Sequence, residues 1–177
     1  MIEGNKRALI QAYGLFWRRD EINWNPGQGK RYEWRLYGRR GANRGTLRVA
    51  DFREQFGIYI LYGSYGPHYV GLTRKRGLGS RLKDHTTDQH RDSWDRFSWF
   101  GFRKVLKAKN IYGVHKLGRM AVERPANLDS MIADIEALLI RSMALRNVNH
   151  MNFVLAEEWI QIKGHELDMF DRRLQPI

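Results

Sequence analysis

Residues 57–73 read GIYILYGSYGPHYVGLT, two short β-prone runs on either side of a glycine-rich turn, and no other stretch limits the fold as tightly. Runs of this kind, bounded by glycine, form an antiparallel hairpin. The link GSYGPH is too long for a two-residue turn and reads as a longer connection. Tyr59 and Tyr69 stand inside the two runs, where cross-strand aromatic pairing is by itself a sufficient reason for them. Whether they do more depends on what the chain sets around the hairpin.

Ahead of it, a short amphipathic opening and the loop-forming NWNPGQGK lead into YEWRLYG and TLRVADF, which read as strands. After it, RKRGLGSRLKDHT reads as a helix. Leu78 and Leu82 share one face, while Arg81 and His85, also one turn apart, put a guanidinium and an imidazole on another. DRFSWFGFRKV alternates, with Phe97, Trp99 and Gly101 to one side and Ser98, Phe100 and Phe102 to the other, as a buried strand does. Trp94 and these aromatics are therefore read as core rather than as a base-stacking surface. NLDSMIADIEALLIRSMALRN is the clearest helix. Asn127 or Asp129 can cap it, and Ile132, Ile135, Leu138, Leu139 and Met143 form the apolar stripe expected to face the core. Glu136 stands at the margin of that stripe, a place carboxylates avoid unless something binds them. The alternative is an exposed helix edge. The tail FVLAEEWIQIKGHELDMF reads as one more short helix or strand, anchored by Trp159.

With 177 residues, 42% of them hydrophobic, the chain suits one domain with a real core. The absence of cysteine excludes disulfides and thiolate metal sites. No apolar run reaches membrane length, and the opening MIEGNKRALIQAYG lacks the apolar core of a signal peptide, so a soluble, cytoplasmic protein is expected. Lysine and arginine number 31 against 19 acidic residues, a net charge of +12 that attracts polyanions, nucleic acid foremost. In KRYEWRLYGRRGANRGTLR, Lys30, Arg31, Arg35, Arg39, Arg40, Arg44 and Arg48 surround Trp34 and Tyr37, and Glu33 is the only acid. Phosphate contacts and base stacking use these residue types. Arg35, Arg39, Arg40 and Arg44, with Lys75 and Arg76 ahead of the first helix, are the candidate nucleic-acid contacts, although a solvated face explains any one of them equally well. His68, His90, His115, His150 and His165 show no metal-ligand spacing.

GIY at 57–59, YVG at 69–71, Arg81 with His85 one turn on, and Glu136 on a late helix together resemble the GIY-YIG nuclease family. The order and spacing fit from residue 56 to about residue 152, and five separated elements in order carry more than either triplet. Val70 replaces isoleucine conservatively. Of Asn147 and Asn149, the second fits the asparagine usual after the glutamate helix better, because Val148 precedes it. The resemblance implies an α+β fold, a small three-stranded antiparallel sheet flanked by helices, over 56–152. Residues 1–55 would form a basic, β-rich extension packed on or extending the sheet, and 153–177 a C-terminal extension of the same domain.

It also implies roles. Tyr59 would meet the attacking water, directly as a base or through a relay, and Tyr69 would orient the scissile phosphate or the water. Arg81 would clamp the phosphate, Asn149 would steady the assembly, and Glu136 would be the sole protein ligand of one Mg²⁺, or of Mn²⁺ in its place. A hard cation that keeps most of its waters needs only one or two carboxylates. Tyrosine titrates near 10 in water. Tyr59 would therefore need nearby positive charge, or His85 as proton acceptor, before it could act as a base. The implied activity is metal-dependent endonucleolytic hydrolysis of DNA, with no organic cofactor and no membrane partner. A catalytically silent nucleic-acid-binding module of the same fold and an RNA-directed nuclease are the alternatives.

Overall fold

The hairpin forms with a tighter turn than its sequence implies. In the computed structural model, which describes residues 8–27, 34–73, 75–120, 128–143 and 152–174, strand β4 (Gly57–Gly63) pairs with β5 (Gly66–Thr73) from Gly57↔Thr73 up to Gly63↔Gly66. Only Ser64 and Tyr65 lie between the last pair, so the link is a two-residue turn after all. The surplus length is taken up by a register shift between Leu61 and Tyr62, which oppose Tyr69 and Pro67.

On its other edge β4 pairs antiparallel with β6 (Arg96–Gly101). A three-stranded antiparallel sheet, expected from the resemblance, would end there. Instead β6 is the middle of five strands, because β1 (Ala12–Arg18) pairs with its far edge and β9 (Glu157–Glu158) adds a parallel strand to β1, in the order β5-β4-β6-β1-β9. The reason is side-chain burial: Tyr13 and Trp17 of β1 are both buried, so covering the aromatic strand β6 on that edge stabilises both. Along β1 the register shifts between Gly14 and Trp17, with Phe16 at φ +51°. That bulge reverses the alternation, so Tyr13 faces one side of the sheet and Trp17 the other.

A second five-stranded sheet has the order β10-β2-β3-β8-β7, from β2 (Tyr37–Arg40), β3 (Arg48–Asp51), β7 (Val105–Lys109), β8 (His115–Leu117) and β10 (Ile160–Gln161). The described residues are thus mixed α/β, with two five-stranded sheets and three helices, α1 (Leu78–Asp84), α2 (Leu128–Ser142) and α3 (Leu167–Leu174). Among them no helix is long and apolar enough to cross a membrane.

The aromatic core joins the sheets. Phe52, just after β3, packs on Trp99 of β6 at 4.3 Å between ring centroids, and also on Trp17 and Trp159. Tyr59, Leu61, Phe97 and Trp99 belong to this cluster, and α1 closes over it through Leu78 and Leu82. The seven-residue α1 has no side-chain cap. The loop before β4 serves its first turn instead: Leu78 N–H donates to the Gln55 carbonyl (2.8 Å) and Gly79 N–H to that of Arg53 (2.9 Å). On the opposite face, Ile60, Tyr62, Phe100 and Tyr13 meet Phe153 and Ala137 of α2.

The docking of α2 corrects the apolar stripe. Ile132, Ile135, Leu139 and Met143 are each more than half exposed, whereas Ser130, Asp134, Ala137 and Ser142 are buried and Leu138 is half-buried. The helix approaches through its small side chains, which let it sit close to the sheet. Specific bonds fix that choice: Ile10 N–H donates to Asp134 Oδ2 (3.0 Å), and Tyr62 O–H donates to the Ser142 carbonyl (2.8 Å). A buried carboxylate and carbonyl left without those donors would cost more than the exposed apolar surface does.

Candidate active site

Across the hairpin Tyr59 stands opposite Gly71, the glycine of YVG. A Cβ built at Gly71 would overlap the Tyr59 phenol carbon and oxygen and come within 2.5 Å of Cε1. The glycine is therefore room for the Tyr59 ring itself, rather than for a substrate or a helix above the sheet. The ring is fully buried in that space, and Tyr69, two residues before Gly71 on the same face, lies 6.1 Å from it between centroids.

The second pair comes from the end of α1. His85 is the C-cap residue of that helix, and its carbonyl accepts the Trp94 indole N–H at 3.0 Å, which ties the helix end to the core. Its ring points at the hairpin: Nε2 lies 2.8 Å from the Tyr59 hydroxyl and Nδ1 lies 2.7 Å from Asp88 Oδ2. Tyr69 packs edge-on against His85 at 4.9 Å. Arg81, one turn before His85, is about one-third exposed, 3.7 Å from Asp84, and its guanidinium also acts on the Tyr59 hydroxyl.

Burial pushes the Tyr59 phenol up to about 12; the Arg81 charge opposes this, and the adjoining Tyr69 hydroxyl adds to it. Roughly one molecule in 10⁵ would carry a Tyr59 phenolate at neutral pH. The positive neighbour expected to lower this group is present, and burial outweighs it. Burial likewise lowers His85 against the pull of Asp88, so the imidazole is neutral near pH 7. For Asp88 burial works upward, but bonds from the His90 N–H and the His85 ring hold its carboxyl below the usual range. The arrangement runs from the Tyr69 hydroxyl to that of Tyr59 and ends on a neutral imidazole backed by a carboxylate.

Tyr59, Tyr69, Arg81 and His85 are thus brought together, on one face of the sheet. Glu136 is not with them. It is exposed on α2, and α2 packs against the opposite face. Asn147 and Asn149 lie outside the described residues, as does Asn127, one of the two candidate caps of α2. The resident groups do not fit a magnesium site shared between Glu136 and the tyrosines. The donor atoms of His85, Asp88 and His90 lie within 4.8 Å of one another. Both Asp88 oxygens are already engaged there, Oδ2 with His85 Nδ1 and Oδ1 with the His90 backbone N–H (2.8 Å).

Sequence reasoning missed Asp88, and it set His68 and His90 aside for lack of metal-ligand spacing. The His68 and His90 rings meet at 3.0 Å between nitrogens, and the His90 ring lies tilted against Tyr69 at 4.8 Å between centroids. The signal available was a carboxylate three residues after His85, in the turns that follow α1.

The candidate basic contacts divide. Arg44 is exposed in the turn between β2 and β3, and Lys75 and Arg76 are exposed before α1, with Arg76 bonded to Asp84 at 2.8 Å. Arg39 is bonded to Glu166 (3.3 Å) and stacked over Phe170, and Arg40 donates to the Glu158 carbonyl (3.2 Å). Arg35 is half-buried. Part of the basic segment therefore holds the second sheet to the C-terminal residues. No family model, no curated protein and no solved structure matches the chain.

Proposed function

We propose that this protein is an endonuclease of the GIY-YIG type that hydrolyses phosphodiester bonds in DNA, with strands β5, β4 and β6 and helix α1 as its nuclease core. The observation that carries the reading is the 2.8 Å contact between Tyr59 and His85, beneath Tyr69 and Arg81, in a chain of net charge +12. The partly exposed Arg81 meets the phosphoryl oxygens and neutralises the charge that develops on them. Tyr59 works as a neutral relay rather than as a phenolate. A proton leaves the attacking water through the Tyr69 hydroxyl to Tyr59 while Tyr59 passes its own to His85 Nε2. The hydroxide attacks phosphorus, the bond to the leaving oxygen breaks, that oxygen takes a proton from solvent, and His85 later releases its proton.

The Mg²⁺, or Mn²⁺, that the resemblance implies on Glu136 does not fit beside the tyrosines, because Glu136 lies across the sheet from Tyr59. The test digests plasmid, single-stranded DNA and RNA with and without Mg²⁺, beside a metal-free gel shift. Cleavage of DNA together with metal-free binding is the expected result. Binding without cleavage would favour the silent module, and cleavage of RNA alone the RNA-directed nuclease. Because Glu136 lies across the sheet from Tyr59, Glu136→Gln is expected to bind and cut like the wild type. Binding without cutting would return the carboxylate to the role of metal ligand.

A further inference from the structure

We infer that Asp88 is the positioning residue that decides which nitrogen of His85 carries the proton, and so sets the direction in which the Tyr59–His85 pair moves one. The inference about direction rests on the relay reading above; the assignment of the proton does not. The His85 ring is 2% exposed and is engaged at both nitrogens, Nδ1 with Asp88 Oδ2 at 2.7 Å and Nε2 with the Tyr59 hydroxyl at 2.8 Å. An ionised carboxylate can only accept. Nδ1 must then be the N–H, Nε2 holds the lone pair, and Tyr59 donates to it. The groups facing the ring are Arg81 from its own helix, Asp88 and His90 from the turns that follow, and Tyr59 and Tyr69 from the sheet.

Asp88 cannot turn to serve both roles differently. Its Oδ1 accepts the His90 backbone N–H at 2.8 Å, its own N–H donates to the Asp84 carbonyl at 3.0 Å, and its carbonyl accepts from Arg91 N–H at 3.1 Å. These bonds give the Asp88→Asn variant an unusual consequence. An asparagine has one acceptor oxygen, and the fixed His90 N–H demands it. The amide nitrogen is then left facing Nδ1 of His85, which has to become the acceptor. The imidazole switches to its Nε2–H form and donates to Tyr59, which no longer has a base to which it can give its proton. An alanine imposes neither tautomer.

The test is ¹⁵N-resolved NMR of His85 near neutral pH, on the wild type and on Asp88→Asn and Asp88→Ala, with plasmid cleavage and DNA affinity measured on the same samples. The wild type is expected to show a protonated Nδ1 and a bare Nε2, Asp88→Asn the reverse, and Asp88→Ala a mixture. Cleavage by Asp88→Asn should fall by at least about 100-fold with affinity unchanged, and below that of Asp88→Ala; in a hydrogen-bonded triad the wrong tautomer lowers kcat on the order of 10⁴-fold. A wild-type ring protonated on Nε2 overturns the inference without any variant, and so does an asparagine variant that keeps the wild-type tautomer. If the tautomers behave as stated and the wild type cuts no nucleic acid, the nuclease reading fails while the assignment of the proton stands.

Discussion

Replacing Gly71 by alanine should reach the proposed site without altering any polar group in it. The added methyl would occupy the space of the Tyr59 phenol. That ring cannot retreat, since it is fully buried and has Tyr69 and His85 against it at centroid distances of 6.1 and 5.8 Å. Overpacking a filled core costs about 1–3 kcal/mol, and pulling the hydroxyl off His85 about 0.5–1.5 kcal/mol more. A total of about 1.5–4.5 kcal/mol lowers the Tm of a chain this long by roughly 3–18 °C. Calorimetry on Gly71→Ala, Tyr59→Ala and the double variant separates this cause from a general loss of strand quality. Tyr59→Ala alone leaves a cavity costing about 3–5 kcal/mol, and the new methyl then has room. The double variant should be less destabilised than the sum by about 0.5–3 kcal/mol. Strict additivity, or a Gly71→Ala melt within about 1 °C of wild type, would refute the account of why a glycine stands there.

Arg81→Ala should lower cleavage at least about 100-fold, the scale of removing one charge-stabilising donor from a preorganised site; an unchanged single-turnover rate would place its role elsewhere. Arg44→Ala should flatten the log–log salt dependence of DNA binding by about 0.9, while Arg39→Ala, which loses Glu166 and Phe170, should chiefly lower thermal stability; the opposite pattern would reverse the division of the basic segment. The folded Tyr59 titrates at about 12 against 10.0 unperturbed. Its contribution to stability is therefore fully present below pH 10 and is lost as pH rises through 12, because the folded state keeps a proton that the unfolded state has released. Urea melts at high pH should show Tyr59→Phe removing up to about 1.4 kcal/mol per pH unit of the decline in that window, and an equal slope in both proteins would contradict the burial of that hydroxyl.

The parts of the fold legible in the sequence are those whose periodicity is local. The hairpin, the leucine face of α1 and the alternation of β6 are all read from neighbours along the chain. Strand β1 escaped because its bulge breaks the period of two between Gly14 and Trp17. The packing of α2 escaped for a different reason. Its apolar stripe is regular, but the side that docks is chosen by partners far along the chain, the Ile10 N–H and the Tyr62 hydroxyl. The pairing of His85 with Tyr59 was an expectation of one-turn spacing joined to a resemblance. Asp88 was legible only as a carboxylate near a helix end, because its role depends on the His90 N–H that fixes its rotamer.

The most direct test of the Tyr59–His85 relay is single-turnover cleavage of plasmid DNA in magnesium by wild type, Tyr59→Phe and His85→Ala, each at protein concentrations shown by gel shift to saturate the DNA. Tyr59→Phe keeps the ring that fills the space beside Gly71 and removes only the hydroxyl bonded to His85. The relay predicts that both variants bind like wild type and cut at least about 100-fold more slowly, general acid–base help being worth about 10²–10⁴ in rate. A Tyr59→Phe protein that cuts saturated DNA at the wild-type rate would contradict it.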